Sequence, residues 1–542
     1  MKKRTVQLLA ILVFAGSLIH AQGRALPDRV RATADRITAD QLKRDLDFLA
    51  SDELLGRNTP SPGFDKAAEY IVSRLTKAGL KPLGDEGTFY QRYEMHDAQI
   101  ETASSALEID GKRFSLGSDF VVRSLATPLS GTFPVVYVGH GWAIPAKNID
   151  PFAGVDVKGK IVLAHGPRAL PKGIEVQQIG RITVGATNVL AEAARRGAAG
   201  VIFIPHSVSD EAWSAMRTAT VGRRELVPPV PSVYAAAPST AMLLSRATAE
   251  ALLAGERISG AEMMRLGSAG DYPASFELSK RVRVSLPVRT TVHRPYNVVA
   301  LIEGSDPVLK NEYITIESHL DGAVSTPAVE GDSIYNSADD NASGSAANLS
   351  IAELMMMAPK PKRSMIFIWD SGEEQGLWGT RHFVGNPPVP LERIVAHINI
   401  DMIGATRAPG SPDAAEQRVT ASHDVLLIGP GVLSGSVDAL LERVNSEYLK
   451  IGFDRSWDKP ESEFFYPRTD AGPFLERGIL TIGFTTGVHD RYHLPSDEAS
   501  ALDANKMERI ARTVFASAWA LADAAERPRI DKPIPPTVLR YK

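Results

Sequence analysis

Cysteine is absent from all 542 residues. Disulfides and thiolate metal ligands are therefore excluded, and the fold is held by its core alone. An excess of one charge is also lacking: 60 Lys and Arg against 64 Asp and Glu leave a formal net charge of −4. That balance carries no electrostatic footprint for nucleic acid or an anionic membrane surface, and it points to a small molecule or peptide as partner. Long hydrophobic runs are scarce. The run from Leu8 to Ile19 follows Lys2, Lys3 and Arg4 and precedes Ile19-His20-Ala21. It is too short to span a bilayer comfortably, and residues 1–21 read as a secretory signal with a small-residue cleavage site. A retained signal anchor is the alternative; no stable membrane insertion is expected. An export signal without disulfides predicts a periplasmic or secreted bacterial protein.

What is present is ordinary globular composition, 44% hydrophobic and 23% charged, in a chain long enough for two or more domains. Thr38-Ala39-Asp40-Gln41 is a capping-box pattern ahead of the apolar-periodic stretch Leu42 to Leu49. A second amphipathic helix is predicted from Phe64 to Ala78, stopped by Gly79. Ser51 to Arg57 between them reads as a polar helix connection. From about Thr127 the texture changes to short β-rich runs, 135–138, 160–164 and 200–204, with a helix from about Ala186 to Arg196. His140, His165 and His206 are scattered singly there, which suits structural roles better than metal binding. The segment to about Gly270 reads as an inserted module that supplies shape rather than chemistry. From about Tyr296 strands alternate with helices, predicting an α/β layer with a mixed, mostly parallel sheet flanked by helices. The predicted strands are Asn297 to Ile302, Tyr313 to Ser318, Ser364 to Trp369, Ile394 to Ile400, Val425 to Ile428 and Ile479 to Thr485.

The chemistry-bearing residues sit at the downstream ends of these strands, where open α/β sheets place their sites. Trp369-Asp370-Ser371-Gly372-Glu373-Glu374 puts two adjacent carboxylates beyond a buried strand. Such a pair is either a solvated acidic turn or a site in which one carboxylate binds a metal and its neighbour acts as a base. His319-Leu320-Asp321 ends another strand. Period-two geometry puts both side chains on one side, so the Asp321 carboxylate could accept the far ring N–H of His319. In Ser337-Ala338-Asp339-Asp340-Asn341 one Asp could cap the following helix, and the second exceeds what capping needs. Asp401, in Asn399-Ile400-Asp401-Met402, is a lone carboxylate at the end of an apolar strand, where ion pairing or metal binding is favoured. His489 and His493 stand four residues apart, but Pro495 argues for a loop and only one need be a ligand. Two imidazoles and three carboxylates make a mixed set suited to zinc, enough for two ions sharing one aspartate.

In these motifs the chain resembles the co-catalytic zinc peptidases of the M28 type, the family of secreted bacterial aminopeptidases and of glutamate carboxypeptidase. Residues 49–57 resemble that family's N-terminal start. Residues 127–270 resemble an inserted protease-associated domain, on Gly159-Lys160-Ile161-Val162-Leu163, residues 194–202 and Val230-Pro231-Ser232-Val233. The resemblance implies a signal over 1–21, the N-terminal part of the peptidase over 22–126, and the main catalytic domain over 271–542. It implies two Zn2+ ions, one held by His319, Asp340 and Asp401 and the other by Asp340, Glu374 and His493. It also implies Glu373 as general base, Asp321 as the partner of His319, and Tyr492 as a donor to the oxyanion. Asp470 stands where the family often has Ser-Asp-His; here Ala471 follows it. The function implied is hydrolysis of peptides, with an aminopeptidase favoured because acidic groups can receive the α-amine. A carboxypeptidase or dipeptidase is the alternative, binding the substrate carboxylate through an arginine such as Arg381, Arg407 or Arg468. A single-zinc glutaminyl cyclase or a receptor-like homologue would need fewer of these ligands.

Overall fold

The Thr38 hydroxyl accepts the Gln41 amide at 3.3 Å and opens helix Ala39–Leu49, while Ser61 caps Pro62–Ala78, which stops at Gly79 with a left-handed φ of 83°. The computed structural model describes residues 26–124, 128–166, 169–174, 186–205, 210–220, 224–227, 240–323, 328–410, 419–460 and 468–534. The expected signal over 1–21, His206 and Val230-Pro231-Ser232-Val233 lie outside the described residues. Among those described, no helix is long and apolar enough to cross a membrane.

The predicted strands from residue 296 onward assemble into one mixed sheet. Its order is Lys81–Pro82, Tyr296–Ile302, Ser364–Asp370, Tyr313–His319, Ile394–Ile400, Leu480–Thr485, Asp424–Ile428 and Gly452–Asp454, with Tyr90–Arg92 also paired to Tyr296–Ile302. The central four strands, 364–370, 313–319, 394–400 and 480–485, are parallel, and their carboxyl ends come out on one edge. Both faces of the sheet are covered, which is why these strands read as near-continuous apolar runs. On one face Ile314, Ile316, Phe367, Ile398 and Ile400 pack with residues of helices Ala39–Leu49, Pro62–Ala78, Gly344–Met355 and Ala504–Asp523. On the other face Val299, Ile366 and Ile368 meet Phe383 of helix Trp378–Gly385 and Phe474 of helix Ala471–Glu476.

A second body lies between Tyr90–Arg92 and Tyr296–Ile302 in the chain. Its eight-stranded sheet runs Lys112–Ser115, Ala106–Ile109, Phe276–Leu286, Leu129–Tyr137, Ile161–His165, Gly200–Ile204, Ala241–Leu244 and Phe120–Ser124. The 127–270 span thus supplies its middle strands, with further strands from both flanking segments. The predicted helix is shorter than expected, Val189–Arg195, because Asn188 caps it by accepting the amides of Leu190 and Ala191. His165 is buried against Tyr137, with Nε2 3.1 Å from the Tyr137 hydroxyl.

The connection over residues 51–57 is not a simple solvated turn. Asp52–Arg57 is a short helical segment in which Leu55 and Gly56 have positive φ, and Arg57 turns inward to complete burial. Its guanidinium donates to the carbonyls of Leu320, Asn336 and Ser337, each at 2.9 Å, and also to that of Leu49. A buried guanidinium is tolerable when its N–H groups are matched by acceptors. The segment therefore clamps the N-terminal helices to the connection that follows strand Tyr313–His319.

Candidate metal centre

The sheet edge gathers the motifs that the sequence places at strand ends. His319 is the last residue of its strand and stands in register with Asp370 of the neighbouring one; Asp401 follows Ile394–Ile400 directly. Glu373 and Glu374 lie in the turn after Ser364–Asp370. Asp340 precedes helix Gly344–Met355, and His493 lies in the loop after Leu480–Thr485 with a left-handed φ of 58°.

Two groups with metal-ligating geometry result, His319 with Asp340 and Asp401, and Asp340 with Glu374 and His493. Asp340 belongs to both. His319 Nε2 is 3.2 Å from one Asp340 oxygen and 3.4 Å from Asp401 Oδ1. His493 Nε2 is 3.2 Å from the other Asp340 oxygen and 2.9 Å from Glu374 Oε2. Despite these approaches, His319 Nε2, Asp401 Oδ1 and Glu374 Oε1 are buried without an aligned hydrogen-bond partner among the described residues. Donors that converge without bonding one another are what a cation site requires.

The electrostatics agree. Burial opposes a charged His319, but the facing Asp340 and Asp401 outweigh it and hold the imidazole pKa well above its usual range. At His493 burial likewise works against charge, and Asp340 and Glu374 raise the pKa to about 10. Burial and then the charge of Asp340 push Glu374 up to about 8. Positive charge is in demand at both ends of Asp340. Arg57 supplies some of it from behind. Burial lowers its pKa to about 10, and Asp321, Asp497, Asp340 and Glu374 act in the opposite direction.

Asp321 requires a correction. The far ring nitrogen of His319, Nδ1, faces the backbone carbonyl of Asp321 at 3.0 Å, whereas its carboxylate is 3.9 Å away. The chain turns after the strand, so the carbonyl arrives first. The carboxylate instead accepts the backbone amides of Glu373 at 3.2 Å and Glu374 at 3.4 Å, fixing the turn that carries both. Tyr492 stacks on the His493 ring at 3.7 Å. Burial, then the charges of Asp340, Glu374 and Glu373, raise its pKa, so the hydroxyl keeps its proton.

Other parts were not read from the sequence. Asp339 does not cap the helix: it accepts the amides of Gly404 at 2.6 Å and Ala405 at 3.1 Å, tying the loop after Asp401 to the Asp340 turn. His489 Nε2 approaches Asp339 at 3.3 Å, and Asp497 accepts the amides of Asp339 and Asp340. The extra Asp beside Asp340 and the second His were the visible signals. Of the three arginines weighed for a substrate carboxylate, Arg381 is buried and meets Glu476 at 3.3 Å, whereas Arg407 and Arg468 are exposed.

Residues 297–518 match the model of peptidase family M28. That match covers less than half of the chain. Over 111 residues the chain is 37% identical to an aminopeptidase of Pseudomonas aeruginosa, covering 20% of this chain and 18% of that one. Over 112 residues it is 35% identical to leupeptin-inactivating enzyme 1 of Streptomyces exfoliatus, covering 20% and 23%. The chain thus spans about a fifth of the length of the curated relatives it matches. Among solved structures, an aminopeptidase from Aneurinibacillus sp. strain AM-1 is 19% identical, covering 93% of this chain and 100% of that one at a TM-score of 0.49. All the candidate ligands, with Glu373, lie inside the matched residues 297–518.

Proposed function

We propose that this protein is an exported di-zinc exopeptidase, an aminopeptidase that removes N-terminal residues from peptides. The observation that carries the reading is the shared Asp340, with His319 and Asp401 on one side, Glu374 and His493 on the other, and Glu373 beside the second group. The mixed imidazole and carboxylate donors fit zinc, and the buried atoms left without aligned partners fit a cation at each end. Two zinc ions held by these residues would supply Lewis-acid polarisation of the attacking water and of the scissile carbonyl.

The chain's own residues do the rest. Glu373 takes the proton of the water at its carboxylate and delivers it to the leaving amine. Burial raises its proton affinity, with His319 acting against and Asp470 adding to the rise, which suits a group that must accept a proton and then donate it. Asp321 holds Glu373 and Glu374 in place through their amides, and Tyr492, kept protonated, donates to the developing oxyanion. The acidic surroundings receive the substrate's α-amine. The Pseudomonas aeruginosa relative, named as an aminopeptidase, supports the same reading. In this assignment residues 1–21 are the signal, the 127–270 span and its flanking strands form an inserted protease-associated domain, and the segments up to Tyr90–Arg92 and from Tyr296 onward form the peptidase, in a periplasmic or secreted protein.

Digestion of matched peptides with free N-termini, blocked N-termini and amidated C-termini by the zinc-loaded protein tests this. Cleavage lost on N-blocking alone is expected. Cleavage lost on C-amidation instead would make the protein a carboxypeptidase.

A further inference from the structure

The sheet face that carries His319 has a second polar cluster deeper in the fold. Glu317 lies two residues before His319 and so projects from the same face. Asp370 ends the neighbouring strand, His397 and Asn399 lie on the strand at the other side, and Asp470 precedes helix Ala471–Glu476. The surroundings are apolar: Val299, Ile366, Ile368, Phe383 and Phe474 line the same face. Glu317, Asp370, His397 and Asp470 are all 0% exposed.

The donors available do not satisfy these carboxylates. Thr380 offers one hydroxyl proton and contacts both Asp370 Oδ2 and Asp470 Oδ1, so it can donate to only one of them. Asn399 donates to Glu317 Oε2 at 2.8 Å. Glu317 Oε1, Asp370 Oδ1 and Asp470 Oδ2 have no hydrogen-bond partner among the described residues. One oxygen from each of the three residues lies within 4.8 Å of the others. Burial, and after it the charge of a neighbouring carboxylate, drives the pKa values of Asp370 and Asp470 well above the usual carboxylate range.

A neighbour outside the acidic cluster points the same way. The His397 ring is stacked on Phe474 at 3.8 Å, and its Nδ1 pairs with the Thr315 hydroxyl at 2.9 Å. Its Nε2 has no hydrogen-bond partner among the described residues and faces Glu317 Oε2 at 3.7 Å. Burial lowers the His397 pKa to about 3. The ring is therefore neutral and brings no charge of its own to balance the carboxylates.

We propose that Glu317, Asp370 and Asp470, with His397 facing them, form a third divalent-cation site within residues 297–518, separate from the pair that shares Asp340. Carboxylate oxygens joined by one imidazole are a donor set for a divalent ion such as manganese. Complete burial makes it an ion acquired as the chain folds rather than one exchanged with solvent. The rival account is that protons shared among the three carboxyls take the place of the cation.

The test uses the full mature chain, expressed and crystallised with MnCl2 as the added probe, and does not depend on the aminopeptidase reading. An anomalous difference peak enclosed by Glu317, Asp370 and Asp470 is expected, distinct from any peak at Asp340. Absence of that peak overturns the proposal whether or not the Asp340 positions are filled. Peaks at Asp340 report separately on the dinuclear reading. Metal content by mass spectrometry should fall by one ion per chain in Asp470→Asn, with the Asp340 peaks retained; an unchanged count also overturns the proposal. If Asp470→Asn does not fold, the map of the unsubstituted protein decides alone.

Discussion

The two ends of Asp340 are chemically similar and physically unlike. His319 is 1% exposed at the end of a central parallel strand, with Asp401 at 14% beside it. His493 is 40% exposed on a loop, with Glu374 at 5%. Both imidazoles are drawn toward positive charge by the same aspartate, so the difference lies in access rather than in attraction. In the proposed reading, the buried half would fix the geometry and the half open to solvent would admit substrate and exchange its ion more readily.

The largest effect that can break this comparison is removal of what the halves share. Asp340→Ala should abolish metal binding at both ends and lower peptide hydrolysis on the order of 10^4-fold. Retention of one tightly held ion by mass spectrometry would show the halves to be independent. Next comes Glu373→Gln, which should cut kcat about 10^3-fold with zinc content unchanged. Near-normal turnover with both ions present would remove Glu373 from the proton path.

A sharper comparison comes from dialysis against a chelator. Metal loss should be biphasic, the faster phase belonging to the His493 end, and His493→Ala should delete that phase only. A single phase in the unsubstituted protein would refute the inequality of access. Smaller still is the effect of Asp497→Asn, whose carboxylate accepts the amides of Asp339 and Asp340. It should weaken metal binding about tenfold, at both ends together because Asp340 serves both.

The smallest effect on activity should come from the second body. Burial opposes charge on Glu192, but Arg195, Thr187 and Arg196 outweigh it and lower its pKa from 4.5 to about 2. A depressed carboxyl stabilises the fold above its unfolded value and loses that contribution as pH falls through the folded value. Glu192→Gln should therefore cost about 2 kcal/mol at neutral pH, a penalty that fades between pH 4.5 and 2, with peptidase activity unchanged. A pH-independent penalty in chemical denaturation would mean that the ion pairs contribute little.

Strand ends were legible in the sequence because a carboxylate or imidazole closing an apolar run is costly without a partner, and His319, Asp401 and the Glu373-Glu374 pair each stand out that way. The same logic predicted the central strands, whose burial on both faces makes them continuous apolar runs. What escaped reading depends on register. Glu317 sits inside a strand as Ile316-Glu317-Ser318, and nothing local says that it faces Asp370 and Asp470 rather than solvent. Arg57 looked like one charge in a polar connection, because its four carbonyl acceptors come from segments up to 280 residues away. The exchange of roles at Asp321, carbonyl for carboxylate, turns on a chain direction that period-two reasoning does not contain.

The second body leaves and rejoins the first through paired strands. Met95–Ile100 and Val288–His293 are antiparallel, with Met95 opposite His293, and the Tyr93 amide is bonded to the Pro295 carbonyl at 3.0 Å. The two crossings of the chain are thus one strand spacing apart, about 5 Å. To the mixed sheet that carries the candidate metal centre, some two hundred residues of excursion look like a hairpin. Because closure entropy grows only with the logarithm of loop length, a host fold can gain, lose or exchange such a passenger at little cost to itself. The junction at Met95 and His293 marks where a recombination event, natural or engineered, would leave the edge that gathers the candidate ligands undisturbed.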